Sequence, residues 1–336
     1  MTRRTILFVA SLASVATLGV ASSVAAQEIP RTADGRPDFQ GNWTNSTLTP
    51  FQREEGREPV YSWDEVRQIE QGDEECPPNP GTVACGRTQR QGDSNEARLS
   101  GNEYNEVYWE RGTRIAVVNG EPRTSLVTQP ANGRIPALTP GAARMAQQER
   151  AMRSQFGQYD HPELRPFAER CILFGSPSGP PMIPVGAYNS NYIITQTANH
   201  LVIQSEMIHD TRIIEIGEPE EMPKHVRPYF GYSFGHWEGD VLVVETTNIN
   251  PEQSIGGASL SPDAKVTERF SVADRETILY EFTVDDPTTY TGSWGGEIPI
   301  SRLHAELYEY ACHEGNYSLG GVLSGARYEE SLGTEN

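Results

Sequence analysis

The feature that most constrains this chain is a series of short β-prone segments after residue 190. In two of them, Val266–Val272 and Ile278–Val284, the even positions are mostly apolar and the odd positions mostly polar. Alternation with a period of two is typical of a strand with one buried face and one wet face. About eight such runs follow one another between residues 192 and 311, with short connections. The pattern predicts a mainly β fold, either an antiparallel up-and-down barrel of the lipocalin type or a curved sandwich.

Residues 27–170 have a different character, because they are polar, rich in turns and only partly helical by pattern. Thr139 followed by Pro140 is typical of a helix start, with Thr as the cap and Pro in the first turn. Ser62 with Glu65 three residues later indicates a second helix that begins with a capping box. We expect this N-terminal region to pack on the β-meander of residues 171–336. An apolar stripe is predicted on the helix that begins at Thr139, formed by Ala143, Met145, Ala146, Met152 and Phe156.

Two turn signals predict hairpins. Asn119-Gly120 lies between two short β-prone runs, which is a strong hairpin pattern. Glu238-Gly239-Asp240 lies between Trp237 and Val241, and we expect Gly239 to take a positive φ there.

The N-terminus has the pattern of a secretory signal peptide. Arg3 and Arg4 precede an apolar run over residues 6–20, and small residues up to Ala26 predict cleavage before Gln27. No later stretch approaches ~20 consecutive apolar residues. The formal net charge of −19 disfavours nucleic acids and anionic membranes as partners, since both attract basic surfaces. These observations predict a periplasmic or secreted acidic protein without membrane insertion after cleavage.

Four cysteines in an exported chain favour disulfide bonds. Three pairings are available in principle, and the spacing favours Cys76 with Cys85 and Cys171 with Cys312. The first pair would close a loop rich in Pro and Gly, and the second would join the two ends of the meander. A zinc site made of all four thiolates is the competing interpretation, but the short C-x-x-C spacings typical of such sites are missing.

Histidines stand beside carboxylates in three clusters near predicted strand ends. The first is the run E-M-I-H-D-T-R, in which we predict Glu206, His209 and Arg212 as catalytic residues. A histidine beside a carboxylate can exchange protons near neutral pH, and an arginine can hold an oxyanion or a carboxylate. The second is C-H-E-G-N, in which His313 is the fourth predicted catalytic residue. A turn that carries no function is the simpler interpretation of both clusters.

The third cluster, H-W-E-G-D at residues 236–240, is primarily a hairpin. We nevertheless predict substrate-binding residues from it and from aromatic or polar residues near the other two clusters. No cofactor is predicted, although His209 and His313 with one carboxylate could bind a divalent metal. The predicted substrate-binding residues are His236, Trp237, Tyr192, Tyr232, Glu314 and Asn316.

Several of these motifs resemble those of a large family of exported bacterial proteins. The matching stretches include residues 34–43, 206–214, 235–247 and 308–316, which carry the patterns E-x-x-H-D-x-R, G-x-W-E-G-D-x-L-V-V-x-T-T and Y-E-Y-A-C-H-E-G-N. The resemblance implies a single exported unit and supplies no activity. This chain differs from the family at His236, a position before Trp at which the family usually has Arg.

The sequence therefore predicts an exported enzyme that applies His/Glu/Arg acid-base chemistry to a small organic molecule or glycoside, as a lyase, isomerase or hydrolase. Motifs of the common zinc proteases, α/β-hydrolases and nucleotide-binding enzymes are missing from the chain. The alternatives are a lipocalin-like carrier of an apolar small molecule and a structural protein of the cell envelope. A shared pocket for His209, Arg212 and His313 would favour the enzyme.

Overall fold

Nine strands close into a β-barrel in the computed structural model. The structure describes residues 29–74, 110, 112–184, 188–219, 222–255 and 258–333. The helices are α1 (Trp63–Glu74), α2 (Pro140–Arg153) and α3 (Ser318–Ser331). The strands are β1 (Gly41–Thr44), β2 (Val117–Val118), β3 (Glu121–Pro122), β4 (Val127–Gln129), β5 (Asn191–Gln196), β6 (His200–Ser205), β7 (Thr211–Ile216), β8 (Tyr232–Glu238), β9 (Val241–Thr247), β10 (Ser254–Ile255), β11 (Ala258–Ser259), β12 (Lys265–Asp274), β13 (Thr277–Asp285) and β14 (Trp294–Arg302).

The ring runs in the order β1-β5-β6-β7-β8-β9-β12-β13-β14, and β14 pairs back with β1. Strand β4 adds to the other part of β14. The predicted mainly β, barrel-like fold is confirmed, but the barrel is mixed because β7 and β8 are parallel. Strict alternation of strand direction cannot close a ring with an odd number of strands, so a nine-stranded barrel needs a parallel neighbour. The short strand β1, from the N-terminal region, completes the ring.

The predicted alternation is seen in β12 and β13, where the even residues face the core and the odd residues lie nearer to solvent. The barrel interior also holds a segment of the chain itself. Residues 177–184 are all buried, and Met182 and Ile183 belong to the same core as the inward-facing side chains of the strands. The Met182 amide donates to the Tyr280 hydroxyl (2.9 Å), and Asn45 donates to the Met182 carbonyl (3.1 Å). This proline-rich segment therefore acts as an internal plug.

The helix starts follow their predicted caps. The Thr139 side chain accepts a hydrogen bond from the Ala142 amide at the start of α2. At α1, Ser62 and Glu65 exchange the two hydrogen bonds of a capping box. The apolar stripe predicted on α2 does not pack against the barrel, because α2 has no buried residue and Met145, Met152 and Phe156 are exposed.

Cys171 and Cys312 form the predicted disulfide, with their Cα atoms 5.8 Å apart. The predicted signal segment and the predicted Cys76–Cys85 pair lie outside the described residues. The last of the predicted β-prone runs, over residues 302–311, is not a strand, because the final barrel strand is β14 and residues 303–311 have no regular secondary structure. Within the described part of the chain, no helix is long and apolar enough to cross a membrane.

Candidate functional site

A cleft of about 330 Å³ opens in the barrel wall between the start of β7 and the residues that lead into β8. Most of its lining is apolar or aromatic, and Arg212 is the charged residue among the described residues that line it. The lining residues are Ile172, Leu173, Thr211, Arg212, Ile213, Pro228, Tyr229, Phe230, Gly231 and Ser233.

The cleft follows from the way in which β7 meets β8. Their register pairs Glu215 with Phe234 and Ile216 with Gly235, at the far end of β7. The first part of β7 is paired with β6 on its other side. Thr211 to Ile213 therefore form one wall of the cleft, and residues 228–231 form another.

Arg212 is buried at this cleft and forms a bidentate ion pair with Glu268 of β12. Its Nη1 donates to Glu268 Oε1 (3.0 Å), and its Nη2 donates to Glu268 Oε2 (2.6 Å). Nη2 also approaches the Ser233 hydroxyl at 3.4 Å. The Tyr280 hydroxyl donates to the same carboxylate (2.7 Å) while accepting from Met182. The ion pair is thus joined to the plug by one continuous chain of hydrogen bonds.

The charge states of this network follow from burial and proximity. Burial lowers the pKa of Arg212, but the charge and hydrogen bonds of Glu268 outweigh burial and raise the pKa overall. Burial raises the pKa of Tyr280 well above its ordinary value, and the negative charge of Glu268 raises it further. Arg212 is therefore a cation and Tyr280 a neutral phenol at physiological pH, so both are hydrogen-bond donors.

The plug approaches Arg212 closely at Gly179. A Cβ at Gly179, which has a φ of +81°, would lie 2.8 Å from Arg212 Nη1. Asp210 anchors the same segment by accepting from the Phe174 amide (2.8 Å) and the Ser178 hydroxyl (2.7 Å). Burial raises the pKa of Asp210, although these two hydrogen bonds act in the opposite direction. The position of Arg212 thus depends on a tightly packed backbone.

Of the predicted catalytic residues, Arg212 lines this cleft, whereas His209 is not among the lining residues and lies two positions before Thr211 in the chain. It follows β6 in a short 3-10 turn, Met207–His209, in which Ile208 and His209 both have positive φ (61° and 45°). The His209 side chain is exposed, and its carbonyl accepts from the hydroxyl of Thr211, a cleft residue (3.0 Å). The turn thus leaves the imidazole accessible two residues before the cleft wall.

Glu206 has a structural set of contacts. It is buried and accepts from the Asn191 side chain (3.2 Å) and from the Tyr308 amide (3.0 Å). These contacts tie the end of β6 to the C-terminal segment. Glu206 therefore accepts from the Asn191 side chain and the Tyr308 backbone amide, and these contacts do not orient an imidazole.

His313, Glu314 and Asn316 lie on the exposed C-terminal turn. Asn316 donates to the Glu169 carbonyl (3.4 Å) and approaches the Cys171 sulfur at 3.3 Å. His313 is next to Cys312, whose disulfide partner Cys171 precedes the cleft residue Ile172. Consecutive Cα atoms are about 3.8 Å apart, so the Cα atoms of His313 and Ile172 are separated by at most about 14 Å.

The other predicted binding residues do not line the cleft and lie at different places in the barrel. Tyr192 is buried and donates to the Pro177 carbonyl (2.8 Å), so it holds the plug. Trp237 stacks on Phe39 with ring centroids 6.0 Å apart. His236 Nε2 lies 3.5 Å from Glu238 Oε1, and the Tyr232 hydroxyl lies 3.4 Å from Glu215 Oε2.

Among the described residues, no three His, Cys, Asp or Glu side chains are grouped as a metal site would require. The chain matches no protein-family model, and no curated protein or solved structure shows significant similarity to it. Membership of the exported bacterial family accordingly stays a prediction from the motifs.

Sequence reasoning identified Arg212 but missed its partners Glu268, Tyr280 and Ser233. A signal for Glu268 was present, because it occupies an even position in the otherwise apolar even register of β12. A charged residue on the buried face of a strand needs a partner of opposite charge. Arg212 stands at a matching inward position on β7.

Proposed function

We propose that this protein is an exported enzyme that binds a small organic molecule or glycoside in the cleft beside β7 and acts on it by acid-base chemistry. The observation that carries the proposal is Arg212, a buried cation in a cleft whose lining is otherwise largely apolar. Apolar walls with a few placed polar groups are typical of sites for small molecules.

In this proposal Arg212 holds an oxygen atom of the ligand by a hydrogen bond from Nε, since both Nη atoms already donate to Glu268. Donors of this kind are most effective when they are held rigidly and shielded from water. The bidentate contact with Glu268 and the packing of Gly179 both hold Arg212 in place. His209 is the proposed proton acceptor or donor, because it lies two residues before the cleft wall in the chain and its exposed imidazole can exchange protons with solvent between turnovers.

His313 is a second proposed acid-base group. The disulfide between Cys171 and Cys312 connects its turn to the cleft wall at Ile172. The same bond supports export, since disulfides are typical of oxidising compartments, and the signal-like N-terminus points the same way.

The apolar walls at Ile172, Leu173 and Phe230 favour one further candidate, a carrier without chemistry. A ligand of such a carrier would occupy the wall cleft rather than the barrel interior. In lipocalin-type barrels the interior holds the ligand, whereas here residues 177–184 fill it.

Turnover of simple probes separates the two candidates. Release of p-nitrophenolate from aryl esters and aryl glycosides tests hydrolysis, and deuterium uptake by a ketone from heavy water tests proton abstraction. We expect His209→Ala to lower the active reaction by roughly 10²–10⁴-fold. The matched control is His200→Ala, which removes another exposed histidine at the start of β6.

Equal loss of rate in the His200→Ala and His209→Ala proteins would contradict a specific role for His209. A chelator such as EDTA, added to the same assays, tests whether the reaction uses a divalent metal, which the sequence allows at His209 and His313 but does not predict. Probe binding without turnover in the wild-type protein would leave the carrier as the better interpretation.

A further inference from the structure

The charge of the cleft residue Arg212 is already compensated inside the protein. Both Nη atoms of Arg212 donate to the two carboxylate oxygens of Glu268, and the two side chains are 2% and 0% exposed. Tyr280 adds a third hydrogen bond to that carboxylate. Arg212 and Glu268 therefore present no net charge to a ligand.

This compensation decides which ligand charge suits the cleft. A carboxylate ligand beside Arg212 would place two carboxylates against one guanidinium where little water screens them. Burying an uncompensated charge is strongly unfavourable, and like charges in one site oppose each other's ionisation. No second cation lines the cleft among the described residues. The site thus disfavours anions although it contains arginine.

One donor of Arg212, the Nε–H group, nevertheless lacks an acceptor among the described residues. The Nε atom is buried, so a ligand oxygen reaches it only when the neighbouring groups at the cleft move slightly apart. A buried N–H without an acceptor is costly, and a neutral oxygen would satisfy it without adding charge. The apolar and aromatic walls at Ile172, Leu173 and Phe230 would then contact the carbon skeleton of the ligand.

We propose that the cleft selects neutral, carbonyl-bearing and largely apolar molecules, such as ketones, esters, lactones or amides, over carboxylates, and that the carbonyl oxygen accepts a hydrogen bond from Arg212 Nε. The inference rests on the proposed function in one respect, namely that this cleft is the ligand site. It goes further by naming the chemical class and the recognising atom.

Three probes of nearly the same shape test the inference. Acetophenone carries a neutral carbonyl, benzoate carries a carboxylate, and α-methylstyrene replaces the carbonyl oxygen with a CH₂ group. Binding is measured by nuclear magnetic resonance on protein with labelled isoleucine methyl groups and labelled arginine Nε. The methyl signals of Ile172 and Ile213 report on occupation of the cleft, and the Nε–H signal of Arg212 reports on the polar contact.

We expect acetophenone to shift all three signals and to bind roughly tenfold or more tightly than α-methylstyrene, because a hydrogen bond to a charged donor is lost in the latter. Benzoate should bind more weakly than acetophenone. Benzoate binding as tightly as acetophenone would overturn the chemical class but leave the cleft as the site. Equal binding of acetophenone and α-methylstyrene without a shift at Nε would overturn the role of Arg212.

The failure of all three probes to move the Ile172 and Ile213 signals would overturn both this inference and the proposed function. The variant Glu268→Gln supplies a second test, because it removes the compensating charge and keeps an oxygen acceptor for Tyr280. With Arg212 uncompensated, we expect the preference to reverse in favour of benzoate. An unchanged preference in a folded variant, as judged from its methyl spectrum, would count against the charge argument.

Discussion

Arg212 and Glu268 are 56 residues apart in the chain and form a bidentate ion pair inside the barrel, with N–O distances of 3.0 and 2.6 Å. The pair links β7, which forms one wall of the cleft, to β12. It therefore connects the stability of the fold with the chemistry of the candidate site.

Removal of one partner should be costly. We expect Arg212→Met to lower the free energy of unfolding by about 3–5 kcal/mol, because Glu268 is then a buried charge without a partner. The double variant Arg212→Met with Glu268→Gln should recover most of this loss, since neither side chain is then charged. Urea unfolding of both proteins measures the difference.

The matched control is Lys265→Met. Lys265 forms a 2.8 Å pair with Glu245 in which the side chains are 43% and 47% exposed. An exposed pair contributes at most about 1 kcal/mol. If Arg212→Met were no more destabilising than Lys265→Met, the buried pair would not have the importance that we assign to it.

The contact between Gly179 and Arg212 can be tested with alanine. Both Gly179 and Gly175 have positive φ (81° and 106°), but a Cβ meets Arg212 and Met182 only at Gly179, and nothing within 4 Å at Gly175. We expect Gly175→Ala to cost about 1 kcal/mol from backbone conformation alone, and Gly179→Ala to cost more. The Gly179 variant should also shift the Arg212 Nε–H signal. Equal thermal midpoints for the two variants would show that close packing of Gly179 against Arg212 does not contribute to stability.

Gly239 provides a test of the β8–β9 hairpin. Its φ is +63°, a conformation that β-branched residues rarely adopt. Gly239→Val should therefore destabilise the protein by more than about 1 kcal/mol. Gly292→Val is the control, because Gly292 has an ordinary φ and open space around it. Thermal melting of the two variants should differ clearly, and matching midpoints would argue against strain at the turn.

The disulfide between Cys171 and Cys312 closes a loop with a separation of 141 residues. On the chain-entropy account, such a long loop gives a stabilisation of up to roughly 5 kcal/mol. We expect the double variant Cys171→Ser, Cys312→Ser to lose several kcal/mol in denaturant unfolding and to loosen the turn that carries His313. Peptide mapping without reductant should also recover the predicted Cys76–Cys85 pair. Free thiols at these two cysteines would disprove that second pairing.

Asp286 should make stability depend on pH. Burial alone would raise the pKa of Asp286, but hydrogen bonds from Ser261 and Thr289 lower it below its ordinary value. A carboxyl whose pKa is lower in the folded state stabilises the fold above its unfolded pKa of about 3.9, and this stabilisation disappears as the pH falls through the folded value.

We therefore expect Asp286→Asn to reduce the free energy of unfolding most at neutral pH. The difference from the wild-type protein should shrink as the pH falls below about 4, because the carboxyl of the unfolded chain then binds protons while that of the folded protein stays ionised to lower pH. Urea unfolding between pH 7 and pH 3 measures this difference. A difference that stays constant over that range would contradict the assigned cause.

Local patterns in the sequence were sufficient for much of the fold. The alternation in β12 and β13, the cap at Thr139 and the turn at Gly239 each depend on residues within a few positions of one another, and the structure confirms all three. The disulfide between Cys171 and Cys312 was also predicted, because four cysteines allow few pairings. Arg212 could be selected as a site residue, since its neighbours already suggested chemistry.

Strand β14 shows why local patterns were not sufficient everywhere. Gly295, Gly296 and Pro299 interrupt its apolar pattern, so period-two alternation does not indicate a strand there. In the barrel, a Cβ at Gly295 would lie 2.2 Å from the Phe282 carbonyl oxygen, and one at Gly296 would lie 2.3 Å from that of Leu126. The glycines are needed for close packing between distant segments, and their neighbours along the chain give no sign of it.

Tertiary structure alone decided how the site is assembled. Arg212 and Glu268 both occupy inward positions that the pattern allows, but their contact depends on the order of strands around the ring and on the plug that packs against them. A ring with an odd number of strands needs a parallel pair, and in this fold that pair is β7 and β8, beside the cleft. Side-chain periodicity acts over a few residues, whereas ring closure depends on the whole chain, so the sequence identified Arg212 and only the fold supplied its partner and its cleft.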